Sequence, residues 1–138
     1  MLRSYLAYLL AEAEREVNRG LAEALAEEGV TVEHWRILQA LSDGLGHSMS
    51  ELAAAVLMPS PTLTKAVDRL VDDALVYRRQ DDVDRRRVAV FLSDRGRALA
   101  GRLDRRVRAH DRSLRAAYGE QRTERLMREL ARLKDVLA

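Results

Sequence analysis

Hydroxyl and cationic side chains are concentrated at one end of a predicted helix that starts near Ser60. Ser60 is expected to cap this helix, and Pro61 suits its first turn, where a missing N–H group loses no hydrogen bond. Apolar residues recur at helical spacing on one face, namely Leu63, Ala66, Val67, Leu70 and Val71. The other face carries Thr62, Thr64, Lys65, Asp68 and Arg69. Hydroxyls and cations on such a face can hydrogen-bond to bases and phosphates, so we predict that this helix enters the major groove of DNA.

A second cationic group lies between two short apolar runs further along the chain. Residues 75–79 and 88–92 have the composition and alternation of strands, and the polar segment between them has the length of a hairpin loop. That segment carries Arg85, Arg86 and Arg87 beside three aspartates. Guanidinium groups on a protruding hairpin can enter the narrow minor groove of DNA, where negative potential is concentrated.

Arginines outside the hairpin loop are expected to bind the DNA backbone. We interpret Arg69, Arg78 and Arg79 as phosphate contacts, which position a protein without specifying bases. A solvated, charged surface is the alternative interpretation for each of these groups. The complete set of predicted DNA-binding residues is Ser60, Pro61, Thr62, Thr64, Lys65, Arg69, Arg78, Arg85, Arg86 and Arg87.

Residues that could support catalysis or bind a metal are scattered. The histidines His34, His47 and His110 are far apart in the sequence, and none is spaced to pair with a nucleophile. Several aspartates offer oxygen ligands for a hard cation: Asp72, Asp73, Asp81, Asp82 and Asp84. Each lies beside competing arginines, so helix termination and hairpin shaping explain them better. We expect no enzyme activity, metal or cofactor, with a metal sensor that uses two histidines and an acid as the alternative.

A short helix and a tight turn precede the hydroxyl-rich helix. Ser48 can accept a hydrogen bond from the Glu51 N–H while the Glu51 side chain reaches back, which is the pattern of a capping box. The chain then turns through residues 57–59. The apolar positions of this helix are Leu52, Ala55 and Val56. Two helices joined by such a turn and followed by a hairpin predict a winged helix-turn-helix, a mainly α fold with a small β-hairpin wing.

Long amphipathic helices flank this module on both sides. Apolar residues recur at three- and four-residue steps from about residue 2 to 28, and Gly29 is expected to end that helix. Thr31 is expected to cap a second helix, and Ser93 a long one that breaks at 118–119. The last helix carries Leu126, Leu130, Leu133 and Leu137 at coiled-coil-like spacing. We expect the terminal helices to form a dimerisation module.

The composition is typical of one folded, helical unit. The 138 residues are 47% hydrophobic and 33% charged, which argues against disorder. The formal net charge is only +2, so the position of the cations matters more than their number. Arginines make up 22 of the 24 basic residues. Their guanidinium groups can form paired hydrogen bonds to phosphate and to the edge of guanine. A composition bias of the source genome is the alternative explanation for their number. With no cysteine, signal peptide or long apolar run, we expect a cytoplasmic protein without disulfides.

Six short motifs, in order and spacing, resemble the multiple antibiotic resistance regulator (MarR) family between Thr31 and Leu99. They are Glu51-Leu52-Ala53, Thr62 to Lys65, Val67-Asp68-Arg69-Leu70, Leu75-Val76-Tyr77-Arg78-Arg79, Asp84-Arg85-Arg86 and Leu92-Ser93-Asp94-Arg95-Gly96. The resemblance implies a minor-groove role for Arg86 and a tip held in shape by Asp84. Two positions depart from the family, which often has glycine where this chain has Leu57 and Ala74.

The resemblance also implies a crevice for a small effector, where the dimer helices meet the winged module. Members of the family often bind an aromatic or phenolic ligand there. Aromatic and cationic side chains can hold an anionic ring, and the nearest candidates are Tyr5, Tyr8, His34, Trp35 and Arg36. A place in the core is the alternative for Tyr8 and Trp35, because both lie on apolar stripes.

We therefore predict a transcriptional regulator, a repressor, that binds a pseudo-palindromic operator in double-stranded DNA as a homodimer. A small effector is expected to release the protein from the operator. We expect no membrane association. The chain is expected to form a single domain, 1–138. Within it, residues 30–97 are the DNA-binding lobe, and residues 1–29 and 98–138 are the helical dimerisation lobe. Two alternatives stay open: a helical protein that binds a protein partner, and a DNA-architectural protein with weak sequence preference.

Overall fold

The computed structural model describes all residues from Met1 to Ala138 as helices around one two-stranded antiparallel sheet. In chain order the elements are α1 (Leu6–Ala26), α2 (Val32–Ala40), α3 (Met49–Val56), α4 (Ser60–Asp72), β1 (Val76–Gln80), β2 (Val88–Leu92), α5 (Asp94–Tyr118) and α6 (Glu120–Leu137). This order confirms the predicted winged helix-turn-helix, in which α3 and α4 are the paired helices and β1 and β2 form the wing.

The first helix starts later than the sequence predicted. A short 3-10 turn, Leu2–Ser4, comes first, and Tyr5 separates it from α1 with extended backbone angles (φ −104°, ψ 132°). The cause is local, since the Ser4 backbone N–H and hydroxyl both donate to the Met1 carbonyl and close a turn that does not continue as an α-helix. The helix also ends two residues earlier than predicted, at Ala26, and Gly29 follows three residues later in the left-handed conformation, with φ +69°.

Two of the predicted helix caps in the winged module are present. Thr31 caps α2, and the Ser48 hydroxyl accepts a hydrogen bond from the Glu51 N–H at 3.2 Å at the start of α3. The second half of the predicted capping box is absent, because the Glu51 carboxylate bonds to His47 and Arg87 instead. The capping interaction of α3 therefore comes from the Ser48 hydroxyl.

Helix α4 begins one residue earlier than predicted. The Pro59 carbonyl accepts the first helical hydrogen bond, from the Leu63 N–H at 3.0 Å, so Pro59 is the N-cap and Ser60 lies in the first turn. The predicted cap at Ser60 is therefore wrong. Pro61 is the second residue of the helix rather than the first, and it still lies where its lack of an N–H is tolerated.

One hydrophobic core joins the winged module to the long flanking helices. Its 20 buried residues come from every helix and strand except α6. Burial of this apolar surface is the main favourable contribution to folding. The stripe predicted for α4 is confirmed, with Val71 partly buried beside four buried side chains, Leu63, Ala66, Val67 and Leu70.

The buried face of α3 differs from the predicted one by a residue. Leu52 and Val56 are buried, but Ala55 is exposed and Ala53 packs against the core. Seen down the helix axis, Leu52 and Val56 lie on one face, and residues 53 and 55 lie at equal angles on either side of that face. Helical periodicity treats the two alanines alike, so only the packing of α2 and α4 around α3 decides which one is covered.

Leu57 and Ala74 adopt the left-handed backbone conformation that glycine usually provides. Leu57 ends α3 with φ 59° and ψ 42°, and Ala74 lies between α4 and β1 with φ 60°. An L-residue in this region costs roughly 1–2 kcal/mol. The turns thus keep a glycine-like geometry without glycine, so the departure from the family pattern is a change of residue and not of fold.

The predicted hairpin is confirmed and gains a third contact. Strands β1 and β2 pair antiparallel, with Arg78 opposite Val90 at the centre. The His47 backbone joins on the other side of β2, since its N–H donates to the Val90 carbonyl at 3.0 Å and its carbonyl accepts from the Val90 N–H at 2.8 Å. The linker between α2 and α3 is thereby attached to the wing.

Helices α5 and α6 are separated at Gly119, where φ is +108°, as the sequence predicted. The Arg115 guanidinium, in the last turn of α5, donates to Asp111 of the same helix and to Glu120 and Glu124 of α6 at 2.8, 2.9 and 2.6 Å. These bonds raise the pKa of Arg115, chiefly through Glu124 and Asp111. One arginine therefore links the two helices across the break at Gly119.

Helix α6 buries none of its residues within the single chain. Large apolar side chains are exposed along it, namely Leu126, Met127, Leu130, Val136 and Leu137. The N-terminal part of α1 is similarly exposed at Leu6, Leu9 and Leu10. None of the helices combines the length and the hydropathy that crossing a membrane requires.

Candidate nucleic-acid interface

The outward side of α4 presents a polar surface. All the residues predicted to bind DNA on this helix are exposed: Ser60, Pro61, Thr62, Thr64, Lys65 and Arg69. Their exposure follows from the burial of the opposite stripe. The Thr64 hydroxyl donates to the Ser60 carbonyl at 2.9 Å, which orients the hydroxyl and leaves its oxygen lone pairs to accept from a ligand.

Ion pairs connect the arginines beside α4 to nearby carboxylates. Arg69 Nε donates to Asp73 at 3.3 Å within the last turn of the helix. Arg78 of β1 donates to Asp68 of α4 at 2.5 Å, so this pair links the wing to the helix. All four side chains are at least a third exposed. Water therefore screens these pairs, and phosphate oxygens can replace the carboxylates at little cost.

The loop of the wing is held by aspartates and projects its arginines into solvent. Asp84 accepts hydrogen bonds from the Arg86 backbone N–H at 3.1 Å and from Arg86 Nε at 3.4 Å, and Asp81 accepts from the Val83 N–H at 2.9 Å. The role implied for Asp84, holding the tip in shape, thus has a structural basis in its two bonds to Arg86. The Arg86 side chain is 94% exposed at the tip.

An aromatic stack at the base of the wing was not predicted. The rings of Tyr77 and Phe91 lie 5.6 Å apart and nearly parallel, and the Arg79 guanidinium carbon lies 4.4 Å from the centre of the Phe91 ring. Phe91 also approaches Gly46 so closely that a Cβ atom at position 46 would lie 2.3 Å from the ring. Phe91 therefore packs the wing against the linker, while Arg79, predicted as a phosphate contact, interacts with the same ring within the wing.

A charged network beneath the wing was also missed. Glu51 accepts from Arg87 at 2.5 Å through one carboxylate oxygen and contacts His47 Nδ1 at 2.8 Å through the other, while His47 Nε2 lies 2.7 Å from Asp43. The hydrogen bond from His47, followed by that from Arg87, lowers the pKa of Glu51. The pKa of Asp43 is lowered first by the Leu45 N–H and then by His47.

The three histidines lie in different surroundings, as their separation in sequence indicated. His34 lines a cleft of about 220 Å³ between α2 and α5, and burial lowers its pKa. His110 of α5 packs against α1, where a Cβ at Gly20 would lie 2.8 Å from its Nε2. His47 is the histidine with two carboxylate partners.

The five residues predicted to line an effector crevice differ in exposure. Tyr5 is 65% exposed before α1, and Tyr8 is partly buried. Trp35 packs against the core, and its indole N–H is buried without a hydrogen-bond acceptor. His34 and Arg36 are partly buried on the same helix. No ligand contact tests this group, so the effector site stays a prediction.

The predicted DNA-binding residues thus form two adjoining groups, one on α4 and one on the wing. Arg85, Arg86 and Arg87 are all exposed in the wing. Contacts between Arg78 and Asp68 and between Arg87 and Glu51 hold the wing next to α4 and α3. The two groups therefore adjoin on one side of the winged module, where exposed ion pairs link them.

Comparison with known proteins gives a consistent result. A sequence model described as the MarR family matches residues 28–87, which run from just beyond the end of α1 through α2, α3, α4 and β1 to the wing loop and stop before β2. The HTH-type transcriptional regulator TtmR of Methylorubrum extorquens is 32% identical over 103 residues, which cover 75% of this chain and 53% of TtmR. The chain therefore spans about half the length of that relative.

Two solved structures resemble the whole chain. The transcriptional repressor CouR, bound to a 23-mer DNA duplex, superposes with a TM-score of 0.88 at 25% identity and covers 96% of this chain and 94% of its own. The MarR family transcriptional regulator SPO1453 from Silicibacter pomeroyi is 34% identical, with a TM-score of 0.87, and the match covers 100% of this chain and 98% of that one. Because the match to SPO1453 combines 34% identity with coverage of 100% of this chain and 98% of that one, this chain belongs to the MarR family of transcriptional regulators.

Proposed function

We propose that this protein is a homodimeric transcriptional regulator, a repressor, that binds a pseudo-palindromic operator in double-stranded DNA. The observation that carries the proposal is the exposed polar surface of α4 beside a wing whose tip arginine, Arg86, is 94% exposed. A helix with hydroxyls and cations outward suits the major groove, and a projecting guanidinium suits the minor groove. The similar protein CouR is bound to a DNA duplex, which supports the same mode here.

The proposed contacts divide into two kinds. Thr62, Thr64 and Lys65 lie near the N-terminal end of α4, where we assign base recognition together with Ser60 and Pro61. Arg69, Arg78 and Arg79 are assigned to phosphates, which fix the position of the protein on the duplex without reading its sequence. Among the wing arginines, Arg86 is assigned to the minor groove, and Arg85 and Arg87 to the phosphates beside it. We propose no catalytic role for any of these residues, and a cytoplasmic location accords with binding to DNA.

We propose that residues 30–97 form the DNA-binding lobe and that residues 1–29 and 98–138 form the dimerisation lobe. The apolar surface of α6, unburied in the single chain, supports this division because a second copy would cover it. A two-fold dimer would place its α4 helices in major grooves about one helical turn, roughly 34 Å, apart.

The dimer can be tested with a charge on α6. Leu130→Arg places a cation in the exposed apolar stripe and should yield a monomer in analytical ultracentrifugation. Arg132→Ala, also on α6, is the matched control and should stay dimeric. A dimeric Leu130→Arg protein would contradict the proposed lobe division.

We further propose a small aromatic or phenolic effector that binds among Tyr5, Tyr8, His34, Trp35 and Arg36. The buried indole N–H of Trp35 has no acceptor in the single chain, which supports a polar ligand or a neighbouring group near it. Such a ligand can release DNA only by binding one arrangement of the two lobes more tightly than the other.

The central experiment measures binding of the purified protein to the DNA upstream of its own coding sequence and to a scrambled duplex across a salt series. Preference for the upstream duplex, with log K falling steeply against log salt, supports a site-specific regulator. Equal, salt-sensitive binding to both duplexes would indicate an architectural protein instead. Absence of binding to either would overturn the proposal and direct attention to a protein partner.

A further inference from the structure

His47 lies where three parts of the winged module meet. Its backbone pairs with Val90 of β2, its ring contacts Asp43 just beyond α2, and its other ring nitrogen contacts Glu51 of α3. The side chain is only 23% exposed. A change in the charge of this ring therefore alters its interactions with the linker and with α3, and acts on the wing through β2.

The ring nitrogens define the protonation state that fits this place. A neutral imidazole has one donor and one acceptor nitrogen, whereas the imidazolium has two donors. Both nitrogens here lie within 2.8 Å of a carboxylate oxygen, Nδ1 from Glu51 and Nε2 from Asp43. Only the protonated ring satisfies both contacts, because a neutral ring would set an acceptor nitrogen against a carboxylate.

Glu51 extends the network to the wing. Its second oxygen accepts from Arg87 at 2.5 Å, and Asp81 and Asp84 are the other acids that act on Arg87 from within the wing. Arg87 is itself among the proposed phosphate contacts. The position of the Glu51 carboxylate thus determines both where Arg87 lies and how much of its charge is neutralised.

We propose that the His47 imidazolium is a positioning residue for DNA binding, because it orients the Glu51 carboxylate that holds Arg87 at the base of the wing. This inference rests on the proposed function. When His47 loses its proton, one carboxylate must turn away, and the wing loses a fixed support on α3. When His47 is protonated, its positive charge neutralises part of the negative charge on Glu51. Less of the positive charge on Arg87 is then neutralised by Glu51, and more of it remains to attract a phosphate.

The acid–base properties of the ring agree with this geometry. The hydrogen bond with Glu51, and after it the interactions with Asp43, raise the pKa of His47 above its ordinary value of 6.5, against the opposing effect of burial. The protonated form is therefore retained to higher pH than in an isolated histidine. DNA affinity should accordingly fall as the pH rises through the His47 pKa.

The first test compares wild type and His47→Gln on the upstream duplex at constant ionic strength between pH 6 and 8.5. Wild-type affinity should fall roughly threefold or more over this range, because DNA is expected to bind the imidazolium form of His47 more tightly than the neutral form. His47→Gln should be nearly independent of pH, and the control His110→Gln should behave as wild type. Equal pH dependence in wild type and His47→Gln would overturn the inference.

A second measurement separates this inference from the function on which it rests. In the free protein, the NMR resonance of the Arg87 Nε–H should follow the titration of the His47 ring, and Glu51→Gln should abolish that coupling. If wild type prefers the upstream duplex but Arg87 does not follow His47, the positioning role is wrong and the regulator stands. If Arg87 follows His47 but wild type binds no duplex, the proposed function fails, and the role in DNA binding fails with it.

Discussion

Gly96 approaches Leu75 so closely that a Cβ atom at position 96 would lie 2.0 Å from the Leu75 carbonyl oxygen. The same oxygen accepts a hydrogen bond from the Ser93 N–H at 3.0 Å. The Ser93 hydroxyl, which caps α5 through the Gly96 N–H, also donates to the Ala74 carbonyl at 2.7 Å. The start of α5 is thus docked directly on the segment that leaves α4.

Gly96→Ala should lower the free energy of unfolding by about 2–4 kcal/mol, because the new methyl group collides with backbone that cannot easily move. Gly101→Ala is the matched control on the same helix, since nothing lies within 4 Å of its Cβ position. That variant should gain up to about 1 kcal/mol from improved helix propensity. Urea denaturation of both variants checks the prediction, and an unchanged midpoint for Gly96→Ala would contradict the observed packing.

Leu57→Gly should stabilise the protein by about 0.5–1 kcal/mol. Glycine adopts the left-handed backbone conformation at this turn without strain, and this gain exceeds the cost of the greater conformational entropy that glycine gives the unfolded chain. Little packing is lost, since the Leu57 side chain is 80% exposed. Ala55→Gly, an exposed position inside α3, should instead destabilise by about 1 kcal/mol. Thermal unfolding of the two variants should shift the midpoint in opposite directions.

Arg86→Ala should weaken binding to the upstream duplex and reduce the slope of log K against log salt by about 1, without altering the circular dichroism spectrum. The loss follows from removing a projecting cation from the wing tip. Arg105→Ala removes an exposed arginine from α5 and should leave affinity unchanged. A normal binding curve for Arg86→Ala would refute the role assigned to the wing.

Thr64→Val and Lys65→Gln should change which duplexes are preferred as well as the affinity. Both side chains lie on the exposed side of α4, and valine retains the shape of threonine without its hydroxyl. Selection of binding sites from a random duplex pool measures the preference of each variant. Weaker binding with an unchanged consensus would reassign the altered residue from base to phosphate contact.

The contribution of His47 to stability should be lost as the pH rises. Because its pKa is raised in the folded protein, the contribution is full below the unfolded value near 6.5 and disappears as the pH passes through the folded value. His34 acts in the opposite sense, because burial lowers its pKa: the unfolded chain binds the proton more tightly at low pH, and this cost to stability disappears as the pH rises. The difference in unfolding free energy between wild type and His47→Gln isolates the first effect and should shrink from pH 6 to 9.

Periodicity and capping rules located most of the fold. The α4 stripe, the caps at Thr31, Ser48 and Ser93, and the break at Gly119 all depend on residues within four positions of one another. The rules failed where either of two neighbouring residues could be the N-cap of a helix. The sequence predicted Ser60 as the N-cap of α4, but the N-cap is Pro59. Ser4 is a similar case, because its bonds to the Met1 carbonyl close a turn that the apolar pattern does not record.

The candidate interface was predictable in its residues but not in its connections. The exposure of Thr62, Lys65 and Arg86 follows from the helical and hairpin patterns. Glu51, however, could bond locally to the N-cap residue of its capping box or to Arg87, which is 36 residues away. Its carboxylate accepts from Arg87 instead of closing the capping box. No spacing rule reaches across that separation, since it depends on how the wing folds back over α3.

Helix α5 runs without interruption from the wing to Gly119, and Arg115 connects its last turn to α6. With 25 residues it is a stiff rod, about 37 Å long. A tilt of about 5° around its far end therefore moves its N-terminus by roughly 3 Å. Because that N-terminus is docked on Leu75, a small rotation between the two chains of the proposed dimer would be converted by α5 into a displacement of the segment between α4 and the wing.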